Sequence, residues 1–166
     1  MITDGDLRHL RRCVELAAEA LEAGDEPFGS ALVAADGTVL REERNHISSE
    51  DRTRHPEFAL ARWAANHTAP EQRAAATVYT SGEHCPMCAA AHAWVGLGRI
   101  VCATSAEQLT TWLADLAVPA PPVQPLRISE VAPGIEVDGP MPDLAGQVHD
   151  LHRRYHEGSG GFGGAR

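Results

Sequence analysis

The chain has 166 residues, 43% of them hydrophobic, and a formal net charge of −9 at pH 7. This length and composition fit one globular domain, predicted here over residues 1–156. All fourteen basic residues are arginine, and acidic residues stand close to each arginine cluster. A long nucleic acid is therefore an unexpected partner, because such partners require a basic surface.

No apolar run approaches the roughly 20 residues that span a bilayer. With no signal peptide in the charged start, we expect a cytoplasmic protein without a membrane partner.

The order of predicted elements indicates an α/β fold. Apolar residues recur with helical spacing after a capping threonine, Thr3, and proline stands at the first helical position at Pro56 and Pro86. The predicted helices are 3–23, 56–66, 86–95, 106–116 and 142–156. The predicted strands are 30–34, 38–42, 77–80, 99–103 and 126–131, with a loop over 44–54. The glycine-rich tail 157–166 is expected to be disordered. This alternation predicts a mixed sheet covered by helices on both faces.

Two short motifs offer the ligand types of a zinc site. Residues 55–57 are His-Pro-Glu, and residues 85–88 are Cys-Pro-Met-Cys. A catalytic zinc has three protein ligands and keeps its fourth position for water. The order H-x-E followed by P-C-x-x-C is the signature of zinc deaminases, in which the glutamate is not a ligand. We therefore predict a Zn²⁺ site with the ligands His55, Cys85 and Cys88.

The chemistry of the site depends on the helix N-termini where both motifs lie. Cys85 and Cys88 are three residues apart, so the first turn of one helix can direct both sulfurs to one point. The helix dipole favours the thiolate form, which is the form that binds a metal. Two thiolates and a neutral imidazole leave the zinc centre close to neutral. Glu57 would then help to deprotonate a bound water.

Other interpretations of the cysteines stay open. A structural zinc would need a fourth ligand, for which the candidates are His46, His84 and His92. A redox C-x-x-C would leave the upstream H-x-E motif without a role, and the two motifs could also occur together by chance with no metal. Cys13 lies on an apolar helix face and Cys102 in an apolar strand, so we expect both to be buried as small hydrophobic residues.

Over nearly its whole length the chain resembles the cytidine deaminase-like superfamily of zinc hydrolases. Phe28-Gly29, Asn45, the motif at 55–57 and the run 79–88 are most similar to bacterial guanine deaminases. The His-Pro-Glu motif is similar to that of actinobacterial nucleobase and s-triazine deaminases. The resemblance implies a three-layer α/β/α sandwich with a five-stranded sheet, and a homodimer. It also implies that Glu57 passes the proton of a zinc-bound water to a ring nitrogen and then to the leaving amine.

The resemblance further implies a set of substrate contacts. Asn45 matches an asparagine that hydrogen-bonds the substrate ring. The other pocket candidates are Phe28, Glu83, His84, Trp94 and Tyr155. Asp115, Asp150 and His152 are candidates in segments that the resemblance implies close the pocket. Phe28 and Trp94 could equally be core aromatic residues.

Two departures from the family pattern concern the substrate. His84 replaces the usual proline and places a titratable donor beside the metal, unless it is a structural histidine. Pro56 replaces the usual alanine and has no N–H to offer the substrate, which argues against ordinary guanine or adenine recognition.

The predicted function is a zinc-dependent aminohydrolase that releases ammonia from a free nucleobase or a related small aminated heterocycle. The expected substrate is of the modified cytosine, s-triazine or guanine type. One alternative is tRNA adenosine deamination, which shares the motif but needs a basic surface. A second alternative is a non-catalytic, zinc-stabilised binding module.

Overall fold

The computed structural model describes residues 2–158. Its helices are α1 (Asp4–Glu22), α2 (Pro56–His67), α3 (Pro70–Ala75), α4 (Pro86–Val95), α5 (Ala106–Asp115), α6 (Ile128–Val131) and α7 (Pro142–Gly158). Its strands are β1 (Gly29–Val33), β2 (Val39–Arg44), β3 (Thr77–Thr80), β4 (Ile100–Cys102) and β5 (Val137–Asp138). None of the helices in the described part is long and apolar enough to cross a membrane.

The strands form one five-stranded mixed sheet in the order β2-β1-β3-β4-β5. Strand β1 runs antiparallel to β2 and to β3, whereas β3, β4 and β5 are parallel. This confirms the predicted fold. Alternation along β1 separates the two faces of the sheet, because successive side chains of a strand point to opposite sides. Ala31 and Val33 join a core with α1 and α7, while Leu32 joins a core with α2.

The layer of α2 and α4 positions the predicted zinc motifs. The two helices pack against each other on one face of the sheet. Each begins with a proline at its first position, where a missing N–H breaks no helical hydrogen bond. The residues just before these prolines, His55 and Cys85, are extended and act as the N-caps. The N-termini of α2 and α4, with their free N–H groups, therefore lie where the two motifs meet.

The fifth strand predicted over 126–131 is wrong. Ile128 to Val131 form the short helix α6, and the Arg127 N–H donates to the Glu130 carboxylate to close its first turn. Ile128 and Val131 are three residues apart, so one helical turn directs both into the same core cluster. The fifth strand is instead β5, a two-residue strand that pairs with the edge of β4.

Smaller differences concern segments between the predicted elements. Helix α3 was not predicted, and the predicted loop 44–54 contains a 3₁₀ turn, Ile47–Ser49. Helix α7 continues to Gly158, two residues beyond its predicted end. The rest of the predicted disordered tail, 159–166, lies outside the described residues. Cys13 and Cys102 are buried, free thiols, as predicted.

Candidate active site

Three ligand atoms converge where α2 and α4 begin. The His55 Nδ1 lies 3.5 Å from the Cys85 Sγ and 3.6 Å from the Cys88 Sγ, and the two sulfurs are 3.4 Å apart. Zinc bonds of about 2.3 Å to sulfur and about 2.0 Å to nitrogen, at tetrahedral angles, set such atoms about 3.5 to 3.8 Å apart. The donor set therefore fits a zinc ion. In residues 2–158 no fourth histidine, cysteine or carboxylate joins this group, so a fourth protein ligand from His46, His84 or His92 is not in place.

The local electrostatics favour a thiolate at Cys85. The hydrogen bond between the Cys85 and Cys88 sulfurs and the hydrogen bond to the His55 ring lower the pKa of Cys85 to about 4. The hydrogen bond between the two sulfurs raises the pKa of Cys88, and burial raises it further. The hydrogen bond to Cys85 also raises the pKa of His55. Cys85 is thus in the thiolate form that binds a divalent metal.

Glu57 lies beside the ligands, buried to 5% exposure, and is not part of the ligand group. Burial raises the pKa of its carboxyl group. Two hydroxyls contact one oxygen of that carboxylate: the Ser30 Oγ at 2.9 Å and the Thr80 Oγ1 at 2.8 Å from Oε1. A hydrogen bond between the carboxyl group and the Cys88 thiol also raises the pKa of that thiol, so Glu57 contacts a predicted ligand directly. This is the arrangement expected of a general acid and base.

No sequence motif predicted the two hydroxyls that contact Glu57. Ser30 and Thr80 are register partners on the antiparallel strands β1 and β3, and their hydroxyl oxygens lie 3.0 Å apart. Both are fully buried. The sequence contains one signal for them. Ser30 in β1 and Thr80 in β3 are polar residues in strands whose other buried positions are mostly apolar. The register that joins the two strands cannot be derived from either strand alone.

Asn45 is fully buried and has one free hydrogen-bonding group. Its Oδ1 accepts from the Ile47 N–H at 2.9 Å, whereas its Nδ2 has no partner among the described residues. Its backbone N–H donates to Phe28 and its carbonyl accepts from Arg44, so the residue is fixed from both sides. An amide group held in this way and left with unpaired N–H donors suits an acceptor atom on a bound ring, because such donors are costly to leave unpaired.

The other predicted pocket residues divide into two groups. Phe28 is half-buried, with its ring 4.9 Å from that of His152 on α7, so it lies between the start of β1 and the last helix. Tyr155 is also half-buried on α7; burial and the charge of Glu26 raise its pKa, and Glu26 acts on His55 as well. Helix α7 therefore packs against the segment that leads into β1.

The second group either contacts other parts of the domain or lies on its surface. Both oxygens of Glu83 accept backbone N–H groups, from Ala106 and Ile128, so Glu83 fixes the starts of α5 and α6. His84 is buried against another histidine, and the Trp94 indole is 90% exposed on α4. Of the further candidates, Asp115 is exposed. Asp150 pairs with Arg153 on the surface.

Family comparison identifies the class of protein. Residues 3–104 match the cytidine and deoxycytidylate deaminase zinc-binding region. The chain belongs to this family of zinc-binding deaminase domains, as its motifs predicted. It is 29% identical over 108 residues to a probable cytosine deaminase of Schizosaccharomyces pombe, covering 65% of each chain. It is 39% identical over 87 residues to the guanine deaminase of Bacillus subtilis, covering 51% of this chain and 55% of that one. The match thus spans less than two thirds of either relative.

Solved structures show the same fold. A guanine deaminase from Nitrosomonas europaea superposes with a TM-score of 0.69 at 19% identity, over 95% of this chain and 86% of that chain. A structure from work on tRNA:A34 deaminases, which edit the wobble position, gives a TM-score of 0.52 at 29% identity, over 60% of this chain and 76% of that chain. The fold alone therefore occurs with both small and large substrates.

Proposed function

We propose that the protein is a zinc-dependent hydrolytic deaminase of a free nucleobase or a related small aminated heterocycle. One observation carries the proposal: three ligand atoms leave a coordination position free beside a buried glutamate that is not a ligand. A structural zinc has four protein ligands, and a non-catalytic binding module has no need of a buried carboxylate at the open position. The relatives that deaminate cytosine and guanine support the same class of substrate.

The chain's own groups account for the proton movements of the reaction. Zinc, when bound by the three ligands, supplies an activated water as the attacking group. Because Oε1 of Glu57 is held by Ser30 and Thr80, the proton is carried on Oε2. Glu57 takes this proton from the water and delivers it to the ring nitrogen as the water oxygen bonds to the amine-bearing carbon. The second proton goes to the amine, the C–N bond breaks, and ammonia and the ring carbonyl remain.

We assign substrate binding to Asn45 and Phe28. The unpaired Nδ2 of Asn45 donates to a ring acceptor. Pro56 stands at the first position of α2, between the ligand His55 and Glu57, and offers no N–H there. A small pyrimidine-like or triazine ring needs fewer donors than guanine does. We therefore favour rings of the modified cytosine or s-triazine type over guanine.

We also propose that the protein is a homodimer. Trp94, on the α4 helix that carries two zinc ligands, exposes 90% of its surface in the single chain. A second copy would cover this indole. Sedimentation velocity tests the proposal, because a dimer has twice the 17.8 kDa mass of the chain.

Ammonia release from a panel of amines tests the proposed activity. The zinc-loaded protein is assayed with guanine, cytosine, isocytosine, 5-azacytosine, ammeline, adenine and cytidine. Turnover of the small pyrimidine-like or triazine rings, with little guanine turnover, is the expected result. Strong guanine turnover would contradict the argument from the missing N–H of Pro56. No turnover with zinc bound would contradict the proposed function, and binding of tRNA in a gel-shift assay would then favour the tRNA alternative.

A further inference from the structure

Two buried histidines next to the zinc motif have ring nitrogens with no partner. His84 and His92 are each 1% exposed, and their ring centres are 5.3 Å apart in an edge-on arrangement. Within residues 2–158, neither nitrogen of His84 has a hydrogen-bond partner, and neither has the Nδ1 of His92. A buried polar atom without a partner costs about 1 to 3 kcal/mol. Three such atoms in one place indicate a polar group that binds between the rings.

The remaining hydrogen bond fixes the tautomer of His92. Its Nε2 lies 2.8 Å from the carbonyl oxygen of Gly98, and a carbonyl can only accept. Nε2 therefore carries the hydrogen, and the Nδ1 of a neutral ring is a lone pair that needs a donor. Burial lowers the pKa of His92, so its ring is neutral. A neutral His84 has one N–H and one lone pair.

We propose that a buried water joins the rings of His84 and His92, and that this pair positions the turn that carries Cys85. The water donates to the Nδ1 of His92 and bonds one ring nitrogen of His84. A water with hydrogen bonds of about 2.8 Å on each side can join two nitrogens up to about 5.6 Å apart, and the ring centres are 5.3 Å apart. Buried waters of this kind satisfy otherwise unpaired polar groups.

In this chain the histidine pair fixes the backbone before Cys85, as a proline does in the family signature. The deaminase signature has proline directly before the first cysteine, where its ring fixes the backbone. His84 has no such ring constraint, and its backbone N–H makes no hydrogen bond within the described residues. The imidazole, anchored to His92 on the next turn of α4 after Cys88, instead holds position 84 from the core side. The inference rests on the zinc ligands of the proposed function and not on its substrate.

A double-mutant cycle on zinc affinity tests the positioning role. In the wild-type background, His92→Leu should raise the zinc dissociation constant about tenfold or more, the usual effect of losing an outer-shell partner. In the His84→Pro background, where proline fixes the turn, the same change should have less than a threefold effect. The lost Gly98 hydrogen bond is common to both backgrounds, so it cancels in the comparison. Equal effects in both backgrounds, or none in the first, would overturn the role.

Two further measurements separate positioning from general stability. His9→Leu removes an imidazole that stacks on Tyr79 in the core on the opposite face of the sheet and should leave zinc affinity unchanged. A crystal structure of the unaltered protein needs no variant to fold. Density for a water within hydrogen-bond distance of the Nδ1 of His92 and of one nitrogen of His84 supports the proposal. Direct contact between the two rings, with no water density beside their nitrogens, contradicts the proposal. Because the readouts are zinc affinity and density, failure here is distinct from failure of the deaminase activity.

Discussion

At the scale of single residues, the environment of Glu57 connects the structure to the proposed chemistry. The carboxylate is buried, its pKa is raised, and two hydroxyls hold one of its oxygens. Burial alone would also suit a structural residue, but Glu57 lies beside the three converging ligand atoms. Glu83 differs, because both of its oxygens accept backbone N–H groups at the starts of α5 and α6.

Glu57→Gln should retain the fold and zinc but lose activity. An amide cannot take a proton from water, and a positioned general acid or base contributes about 10²- to 10⁴-fold to the rate. The measurement is kcat for ammonia release, with zinc content determined by a chromophoric chelator. Glu71→Gln, at an exposed position on α3, is the matched control and should behave as the wild type. Substantial activity in the Glu57 variant would contradict the mechanism.

Thr80→Val should lower kcat about tenfold with little change in KM. Valine keeps the shape of threonine but removes a hydroxyl that lies 2.8 Å from the Glu57 carboxylate. The hydroxyl orients the carboxylate without contacting the substrate, so binding should persist. Thr80→Ser restores the hydroxyl and should recover most of kcat. A raised KM with unchanged kcat would instead place Thr80 in substrate binding.

At the scale of elements, the packing of α1 on β1 depends on one glycine. A Cβ built on Gly29 would lie 2.4 Å from the Leu16 Cβ and 2.5 Å from the Cys13 carbonyl oxygen. Neither contact can be relieved by rotating a flexible side chain, since one is to backbone and one to a Cβ atom. The first residue of β1 must therefore be glycine for the helix to approach the strand that holds Ser30.

Gly29→Ala should destabilise the protein by about 1 to 3 kcal/mol, the usual cost of overpacking a core. The measurement is the free energy of unfolding from a denaturant titration. Gly146→Ala is the matched control, because an added Cβ on this exposed residue of α7 meets nothing within 4 Å. Alanine in a helix interior should stabilise there by about 0.5 to 1 kcal/mol. Equal effects at both positions would contradict the close approach.

Also at the element scale, α2 and α4 share a mode of initiation that the sequence alone predicted. Each has a proline at the first position and a zinc ligand as the extended N-cap. Local backbone rules decide this arrangement, because proline fits the first turn of a helix and little else in it. The short helix α6 and strand β5 follow no comparably strong local rule.

At the scale of the whole molecule, Asp6 joins the start of α1 to the sheet. Its carboxylate accepts from Tyr79 on β3 at 2.6 Å, from Arg99 at 3.0 Å and from the Thr3 N–H at 2.7 Å. Burial by itself would raise the pKa of Asp6, but these donors hold it well below the ordinary value of 3.8. The network therefore stabilises the fold only while Asp6 is ionised.

Asp6→Asn should lower the free energy of unfolding by about 2 kcal/mol at pH 7, the scale of hydrogen bonds to a charged group. A depressed pKa contributes stability above the unfolded-state value and loses it as the pH falls. The gap between the wild type and the variant should therefore be constant near neutral pH and shrink below about pH 4. Asp4→Asn, at an exposed site in the same helical turn, is the control. A gap that does not change with pH would contradict the ionised network.

The sequence determined much of the fold because the decisive signals are local. Period-3.6 apolar patterns, caps and first-turn prolines gave the long helices, and four of the five strands lie where they were predicted. The fifth did not, because Val137 and Asp138 are too short a segment to show a pattern. They become a strand only by pairing with β4, which is a tertiary interaction.

The zinc ligands could be predicted from the sequence because their chemistry and spacing are specific. His55, Cys85 and Cys88 stand at fixed offsets from helix starts, and the structure brings their ligand atoms together. Only the tertiary structure decided which groups surround them. The register of β1 on β3 brings Ser30 and Thr80 to Glu57, and the packing of α4 buries His84. Such contacts join residues that are distant in the chain, so no local pattern encodes them.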